Sequence, residues 1–423
     1  MSAAVPAPGG DALRDLQPVV LGADIGVYAL ARAFHEEYGV RSVVVSGAAL
    51  GPVAHSAILD NVLVADGHDP RQLVDALLRV AREQAGRRLV LLANSDWLVR
   101  VVVQHRAELE PHYVVPFLPQ DLLDRLSDKA TFAEIATSLG LDVPRTVVQD
   151  FAAADDPAWA PVPVDVPYPL IAKAASSADY QEVSFPGKQK VFEIGSPSEL
   201  DALWDSLRDA GFRGRFVVQE LVPGDDTQMR SVTAYVDSRG EITLLCSAHV
   251  LLEEHTPSGL GNPAAMVVSR EQGMLDQAAA FLRGVGYVGF ANFDVKVDPR
   301  DGSYRFFEVN PRIGRNNYYV TAAGANVARF LVEDRVLGRA VEPVVVDTEV
   351  LYSILPHRLL LRYVLDPALA GRVRALIRSR RVAHPLRYRG DAGPRRRWYA
   401  FAAALNQVRK FRRYYPEVTG TGF

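Results

Sequence analysis

A single cysteine, Cys246, stands among 423 residues, so no internal disulfide can form and a reducing compartment is expected. Cys246 lies in the apolar run EITLLCSAHV, where a small buried hydrophobe is the expected role. No apolar run approaches the roughly 18 residues of a spanning helix. The opening MSAAVPAPGGDALRD lacks the basic stretch and apolar core of a secretory signal. Its Ala, Pro and Gly predict a disordered tail over residues 1–15, and the chain reads as cytoplasmic. Charge of one sign is also missing. Lys and Arg number 47 against 50 Asp and Glu, a net of −3, so no global field favours nucleic acid or membrane. No Gly-x-Ser-x-Gly elbow offers a covalent nucleophile, and no internal repeat is visible.

What is present is a soluble globular composition, 48% hydrophobic and 23% charged. The length predicts two to three domains. Strand and helix patterns alternate through the first third: a strand over 18–22, a helix over 27–38, a strand over 42–46, a helix over 70–85 and a strand over 88–93. That alternation predicts a parallel sheet with crossover helices. Its first turn, Gly22-Ala23-Asp24-Ile25-Gly26, has two glycines and lacks the third of a dinucleotide fingerprint. A second unit opens near 126, where Ser127 or Asp128 is placed to cap a helix running to Leu139. Beyond Arg230 the pattern becomes antiparallel, two alternating runs around a Ser-Arg-Gly turn.

The stretch with chemistry in it is GFANFDVKVDPRDGSYRFFEVNPRIG, residues 289–314. Two alternating runs flank Pro299-Arg300-Asp301-Gly302, predicting a β-hairpin. Period-two alternation puts Asn292, Asp294 and Lys296 on one face, and Glu308 and Asn310 on a face with Phe306. If the polar faces coincide, Asp294, Glu308 and Asn310 converge. Oxygen ligands so placed repel one another unless a cation lies between them, and Mg2+ takes one or two carboxylates together with phosphate oxygens. A hairpin with scattered solvated acids is the plainer reading, but it accounts poorly for Glu308 among Phe306, Phe307 and Val309.

The run Phe307-Glu308-Val309-Asn310-Pro311-Arg312, with an aspartate in the preceding strand, resembles the signature of the ATP-grasp superfamily. LSDKATFAEIATSLGLDVPRT is similar to its opening segment, with Lys129 as the phosphate-reaching lysine, and YPLIAKAAS is similar to the strand bearing the second, Lys173. Lys173 interrupts an apolar strand, and a buried lysine needs an anion. The loop after it would be the flap over the phosphates, with Ser176, Ser177, Lys188 and Lys190. VVQELVPGDD resembles the hinge that grips adenine, using Gln219, Glu220, Leu221 and Val222, with Asp226 or Asp225 on the ribose.

The resemblance implies a mixed α/β and α+β chain. A Rossmann-like pre-ATP-grasp domain would span 16–125, an ATP-grasp fold 126–340 with its hinge near 219–224, and a basic extension 341–423. It implies ATP with Mg2+ (or Mn2+), metal ligands Asp294, Glu308 and Asn310, and Arg312 stabilising the triphosphate. The activity implied is a carboxylate–amine ligation through an acylphosphate. Within the superfamily the layout resembles the D-aspartate ligase type, which joins an amino acid to a peptidoglycan precursor, lipid-linked or UDP-linked. Arg230 is placed to bind an α-carboxylate in two-point fashion. A carboxylase-type enzyme, a small-peptide synthetase and a non-catalytic nucleotide-binding protein stay open as alternatives.

The charge is unevenly spread. From Arg372 onward, 13 arginines and Lys410 face only Asp391 and Glu417, a net of about +12 that leaves about −15 elsewhere. RWYAFAAALNQVRKFRRYY reads as a basic, aromatic helix. It suits an anionic membrane face, or packing on the acidic body or on a subunit partner. No motif that reads nucleic acid appears.

Overall fold

The computed structural model describes residues 13–176, 180, 183–257 and 259–420. The chain divides into two compact units. The first is built from the segments up to Gln120, Asp225–Asn292 and Asn310 onward; the second comprises Asp121–Gly224 and Phe293–Val309.

The first unit begins with a parallel sheet of β1 (Leu16–Leu21), β2 (Ser42–Ser46), β3 (Leu59–Leu63), β4 (Arg88–Ala93) and β5 (Tyr113–Val114), in the order β3-β2-β1-β4-β5. Every residue of β1 and β2 is buried, as expected of strands covered on both faces. The helix Ile25–Tyr38 starts where Asp24 accepts hydrogen bonds from the Gly26 and Val27 N–H groups, and ends at Gly39 with φ 67°. Gly26 has a packing reason for lacking a side chain. A Cβ there would lie 2.7 Å from the Arg315 carbonyl oxygen and 2.2 Å from the Asn94 side chain. The second glycine of the turn thus admits the segment around Arg315.

A larger sheet follows in the same unit. It uses β10 (Met229–Val236), β11 (Ile242–Glu254), β12 (Asn262–Val268), the part of β13 (Gly289–Val297) up to Asn292, β15 (Val344–Val345), β16 (Leu351–Ser353) and β17 (Val382–Ala383). The order is β13-β10-β11-β12-β16-β17, with β15 beside β11. β10 and β11 are the two antiparallel runs expected, registered as Arg230 opposite His249, with Gly240 in the turn at φ 85°. The C-terminal helices His357–Tyr363, Pro367–Arg378 and Pro394–Tyr414 belong to this unit. Asp391 clips the last of them to the region of the first sheet. Its carboxylate accepts from the Tyr28 hydroxyl (2.9 Å), the Ser56 hydroxyl (2.7 Å) and the Ala57 N–H (2.7 Å), and it pairs with Arg396 at 3.2 Å. Arg396 is buried, donates to the Gly51, Pro52 and Ala54 carbonyls, and lies 4.4 Å from the Tyr28 ring centroid.

The second unit holds an antiparallel sheet of β6 (Thr146–Asp150), β7 (Leu170–Ala174), β8 (Phe192–Ile194) and β9 (Arg215–Glu220), in the order β6-β9-β7-β8. The helix Pro197–Asp209 is capped by Ser196 and buries Leu200, Leu203, Trp204 and Leu207. Phe151, Trp204, Phe212 and Phe216 meet edge-on along this core, with neighbouring ring centroids no more than 5.9 Å apart. Truncating one of them to alanine should cost about 3–5 kcal/mol. The helix Lys129–Ser138 starts at Asp128, whose carboxylate accepts from Thr131 N–H at 2.8 Å and from Arg215 at 2.8 Å. β14 (Tyr304–Asn310) follows β13 after the turn expected at 299–302, where Gly302 takes φ 74° and donates to the Asp298 carbonyl.

Candidate active site

Lys129, Lys173, Lys190, Asp294 and Glu308 form an electrostatic cluster in the second unit. Lys129 is the first residue of its helix, and its N–H donates to the Ala175 carbonyl just beyond β7, at 3.2 Å. That bond ties the two lysine-bearing segments together. The Lys129 ammonium stands 3.5 Å from Oε2 of Glu308. Lys173 pairs across β7 with Val217 of β9, and its ammonium is 5.8 Å from the Phe307 ring centroid.

The protonation states follow from this crowding. Burial pushes Lys173 down to about 8; Glu308 and Asp294 raise it again, while Lys129 and Lys190 lower it. Burial alone would push the Glu308 carboxyl up. The Lys129, Lys173 and Lys190 ammonium groups outweigh that and hold it well below the usual carboxylate range. Glu308 is therefore ionised. Three ammonium groups face two carboxylates, a surplus of positive charge that suits a polyphosphate rather than a neutral ligand.

The hairpin departs from strict alternation. Phe306 packs edge-on against Phe293, with centroids 5.7 Å apart, whereas Glu308 contacts Asp294. Phe293 and Asp294 are neighbours on one strand and so face opposite ways. Phe306 and Glu308 therefore do not share a face, and the local break is what lets Glu308 meet Asp294. Among the described residues no three His, Cys, Asp and Glu side chains group as a metal site. The expected donor set is two carboxylates and one amide oxygen. Adjacent carboxylates with this chemistry fit a hard divalent cation.

Of the other expected nucleotide residues, Ser176 is half-buried just past β7, and Ser177 lies outside the described residues. Lys188 donates to the Tyr180 and Val183 carbonyls at 2.8 and 2.6 Å, so it staples its own loop. Gln219 is buried and donates to Thr146 Oγ1 at 2.9 Å, and Glu220 accepts from Arg300 at 2.6 Å. Leu221 is half-buried and Val222 buried. Lys296, to which the sequence assigned no role, donates to the Gly224 carbonyl at 2.6 Å, just before the chain leaves this unit.

The remaining expected residues lie in the first unit. Arg312 grips Asp96 with two nitrogens, at 2.7 and 3.2 Å, and donates to the Asn310 amide oxygen at 3.1 Å. Arg230 pairs with Glu271 at 2.6 Å and donates to the Thr227 and Met229 carbonyls. Asp226 is buried, its Oδ2 accepting from the Glu253 N–H (2.8 Å) and lying 2.9 Å from His255 Nε2. Asp225 accepts from Thr227. Arg315, which the sequence did not single out, bridges Asp24 at 3.1 Å and buried Glu254 at 2.6 Å. Its only signal was a second arginine three residues after Arg312.

Comparison with known proteins gives the family and the fold. The family described as "Carbamoyl-phosphate synthase L chain, ATP binding domain" matches residues 229–328. A D-aspartate ligase of Enterococcus faecium (strain Aus0004) is 31% identical over 409 residues, covering 94% of this chain and 96% of its own. Among solved structures, N5-carboxyaminoimidazole synthetase from Staphylococcus aureus, complexed with ADP, superposes with a TM-score of 0.56 at 15% identity. The match covers 79% of this chain and 81% of the other. An L-amino acid ligase from Bacillus licheniformis superposes with a TM-score of 0.50 at 12% identity, covering 75% and 70%. These two likenesses show the fold, and the first relative shows the family. The chain belongs to the ATP-grasp superfamily, as an ATP-dependent, ADP-forming ligase in the family of the D-aspartate ligase.

Proposed function

We propose that the protein joins the carboxylate of an amino acid, D-aspartate or a close analogue, to an amine of a peptidoglycan precursor at the expense of ATP. The observation that carries this reading is the cluster of Lys129, Lys173 and Lys190 around the ionised Glu308 and its neighbour Asp294. Substrate carboxylate oxygen attacks the γ-phosphorus, the bond to the ADP oxygen breaks, and an acylphosphate forms. The amine then attacks the acyl carbon, inorganic phosphate leaves, and the ammonium proton is lost to solvent.

Lys129 and Lys173 offset the charge on the transferring phosphoryl group. Glu308 pairs with Lys129 and favours the charged form of Lys173 before nucleotide arrives. Asp294, Glu308 and Asn310 would hold Mg2+, which neutralises phosphate oxygens when bound. Arg312, held by Asp96, is assigned to the charge developing on the phosphates. Gln219 to Val222 are assigned to the adenine and Asp226 to the ribose, the latter through the oxygen its His255 contact leaves over. Arg230 is assigned to the amino-acid carboxylate; since Glu271 already pairs with it, the substrate would compete for that guanidinium.

No helix among the described residues is long and apolar enough to cross a membrane. The C-terminal helix nevertheless exposes Trp398, Phe401 and Leu405, 69%, 53% and 50% accessible, at helical spacing. Exposed arginines flank them at 395, 397, 409, 412 and 413. An apolar stripe between cationic ends suits the surface of an anionic membrane, where a lipid-linked precursor would be met.

The deciding measurement is ADP release with D- and L-amino acids, each with and without a lysine-containing muropeptide. Release that needs both partners supports the reading. Release that needs bicarbonate instead, or that no amino acid elicits, sinks it.

A further inference from the structure

One cavity of the first unit, of about 480 Å3, is cationic and has no place yet in the reaction. Its volume is that of a small-ligand site. Arg32, Arg380, Arg381, Arg387, His357 and His384 line it, and no carboxylate does. None of them is assigned above to nucleotide, metal or amino acid.

The four arginines divide into two kinds. Arg32 is structural. It pairs with Glu36 at 2.8 Å, donates to the His384, Pro385 and Arg387 carbonyls, and sits 3.9 Å from the Tyr318 ring centroid. It thereby fixes the loop that forms one wall. Arg380, Arg381 and Arg387 are exposed, and no ion pair to any of them is found among the described residues. Three guanidinium groups are thus gathered without counter-charge, where they repel one another until an anion arrives.

Two further features belong to a built site rather than a chance patch. Arg380 holds φ 59° just past the helix Pro367–Arg378, a left-handed position where glycine is the unstrained residue. An arginine kept there bears strain that its side chain must justify. His384 accepts the Leu386 N–H on Nδ1. Burial, then Arg387 and Arg32, push it down to about 3. It is neutral, so its hydrogen is on Nε2 and that nitrogen is a donor. The walls therefore offer donors and positive charge, without a competing acid.

One carboxylate would leave most of that charge unmet. A diphosphate, with two or three negative charges and oxygens suited to forked guanidinium contacts, matches it better. A second cavity of about 330 Å3 shares His384 as a wall and holds Arg315 and Lys410. Two cavities with one wall in common suit a long ligand, anionic at one end.

We propose that the arginine-lined cavity binds the diphosphate group of the amine acceptor, while the remainder of that acceptor occupies the cavity holding Arg315. The assignment rests on the ligase reading above for the identity of the acceptor, but not for the binding of a diphosphate. Two sources carry this chemistry, a nucleoside diphosphate and a polyisoprenyl-linked diphosphate.

The test uses the full chain loaded with one equivalent of ADP, so that the nucleotide site is filled and no free ADP competes for the cavity. Calorimetry with uridine diphosphate, with inorganic pyrophosphate, and with phosphatidylcholine vesicles carrying undecaprenyl diphosphate distinguishes the sources. We expect one equivalent of a diphosphate probe to bind. Arg380→Gly and Arg387→Ser should each weaken it at least tenfold, and ADP affinity should not change. Arg380→Gly should melt no lower than wild type, because glycine accepts the left-handed backbone; lost binding in that variant is then not lost folding. Absence of binding by all three probes, or undiminished binding in both variants, overturns the proposal. Should diphosphates fail to bind while amino-acid-dependent ADP release persists, the cavity assignment falls and the ligase reading stands. Diphosphate binding without such release has the opposite meaning.

Discussion

The Lys129 ammonium rests 3.5 Å from Oε2 of Glu308, and the same carboxylate is contacted by Asp294. On the proposed reading Glu308 would have two tasks, to keep Lys129 in place and, with Asp294, to hold a divalent cation. A triphosphate that took Lys129 would free Glu308 for that second task, a partner exchange that would leave neither charge exposed alone.

Replacing Glu308 by glutamine keeps the shape and removes the charge. ADP production should fall by about 100-fold or more, in line with the loss of one preorganised electrostatic group. Nucleotide binding should weaken less, since the three lysines remain. ADP release and fluorescent-nucleotide titration separate the two effects. If kcat is retained while only Mg2+ affinity changes, the carboxylate is a ligand alone and no partner exchange takes place.

Lys129→Ala removes the partner of Glu308 along with a phosphate contact. The KM for ATP should rise about tenfold, and the Mg2+ needed for half-maximal rate should change with it. Titrating each at saturating levels of the other reads the coupling. Independent effects would show that the 3.5 Å pair does not link the two sites.

Acid stability follows from histidines kept neutral. Burial, then Arg230, push His249 down to about 4, and His384 falls to about 3. Their folded values lie below the unfolded one, so at pH above about 6.5 both states are neutral and nothing is lost. As pH falls below about 6.5 the unfolded chain takes up protons that the folded chain refuses, and stability declines until each folded value is reached. A tenfold difference in proton affinity between the two states is worth about 1.4 kcal/mol, so each buried histidine removes roughly 2–3 kcal/mol between about pH 6.5 and 4. Urea unfolding at pH 7, 5.5 and 4.5 should show this slope. His249→Gln should flatten it, and an unchanged slope would remove His249 as its cause.

Asp391→Ala should destabilise the first unit by about 3–5 kcal/mol, because it strands Arg396 in a buried position beside Tyr28. The double variant Asp391→Ala with Arg396→Met should recover part of that loss. Thermal unfolding of the two variants and wild type checks both expectations; a double variant no more stable than Asp391→Ala would mean that the stranded charge is not the cause.

Trp398→Ala and Phe401→Ala touch side chains that are largely exposed, so stability should shift by less than about 0.5 kcal/mol. Co-sedimentation with vesicles rich in phosphatidylglycerol should nevertheless fall several-fold. Equal recovery of wild type and variants with the vesicles would remove the membrane from the reading of this helix.

Local signals in the sequence carried much of the fold and of the site. Lys173 was conspicuous because it breaks the apolar strand LIAKA, and Asp128 because a capping residue precedes a helical run. Glu308 stood out between aromatic and branched neighbours. What could not be read were contacts without local periodicity. Asp391 meets Tyr28 across 363 positions, and Arg315 meets Asp24 across 291. The changed facing between Phe306 and Glu308 was also hidden, since an alternating pattern says nothing of where alternation slips. Arg230 looked available for a substrate because Glu271, 41 residues on, gave no sign of being its partner.

The three-part origin of the first unit has a consequence for biosynthesis. The opening segment emerges from the ribosome with Tyr28 and Ser56 in place, yet Asp391, which completes that corner with Arg396, is made 363 positions after the one and 335 after the other. The second unit likewise waits for the 293–309 hairpin after its own first segment ends at Gly224. Neither unit closes in the order in which it is translated. Early segments must remain soluble or guarded while the rest arrives, and a stalled ribosome would hold an open sheet rather than a finished domain.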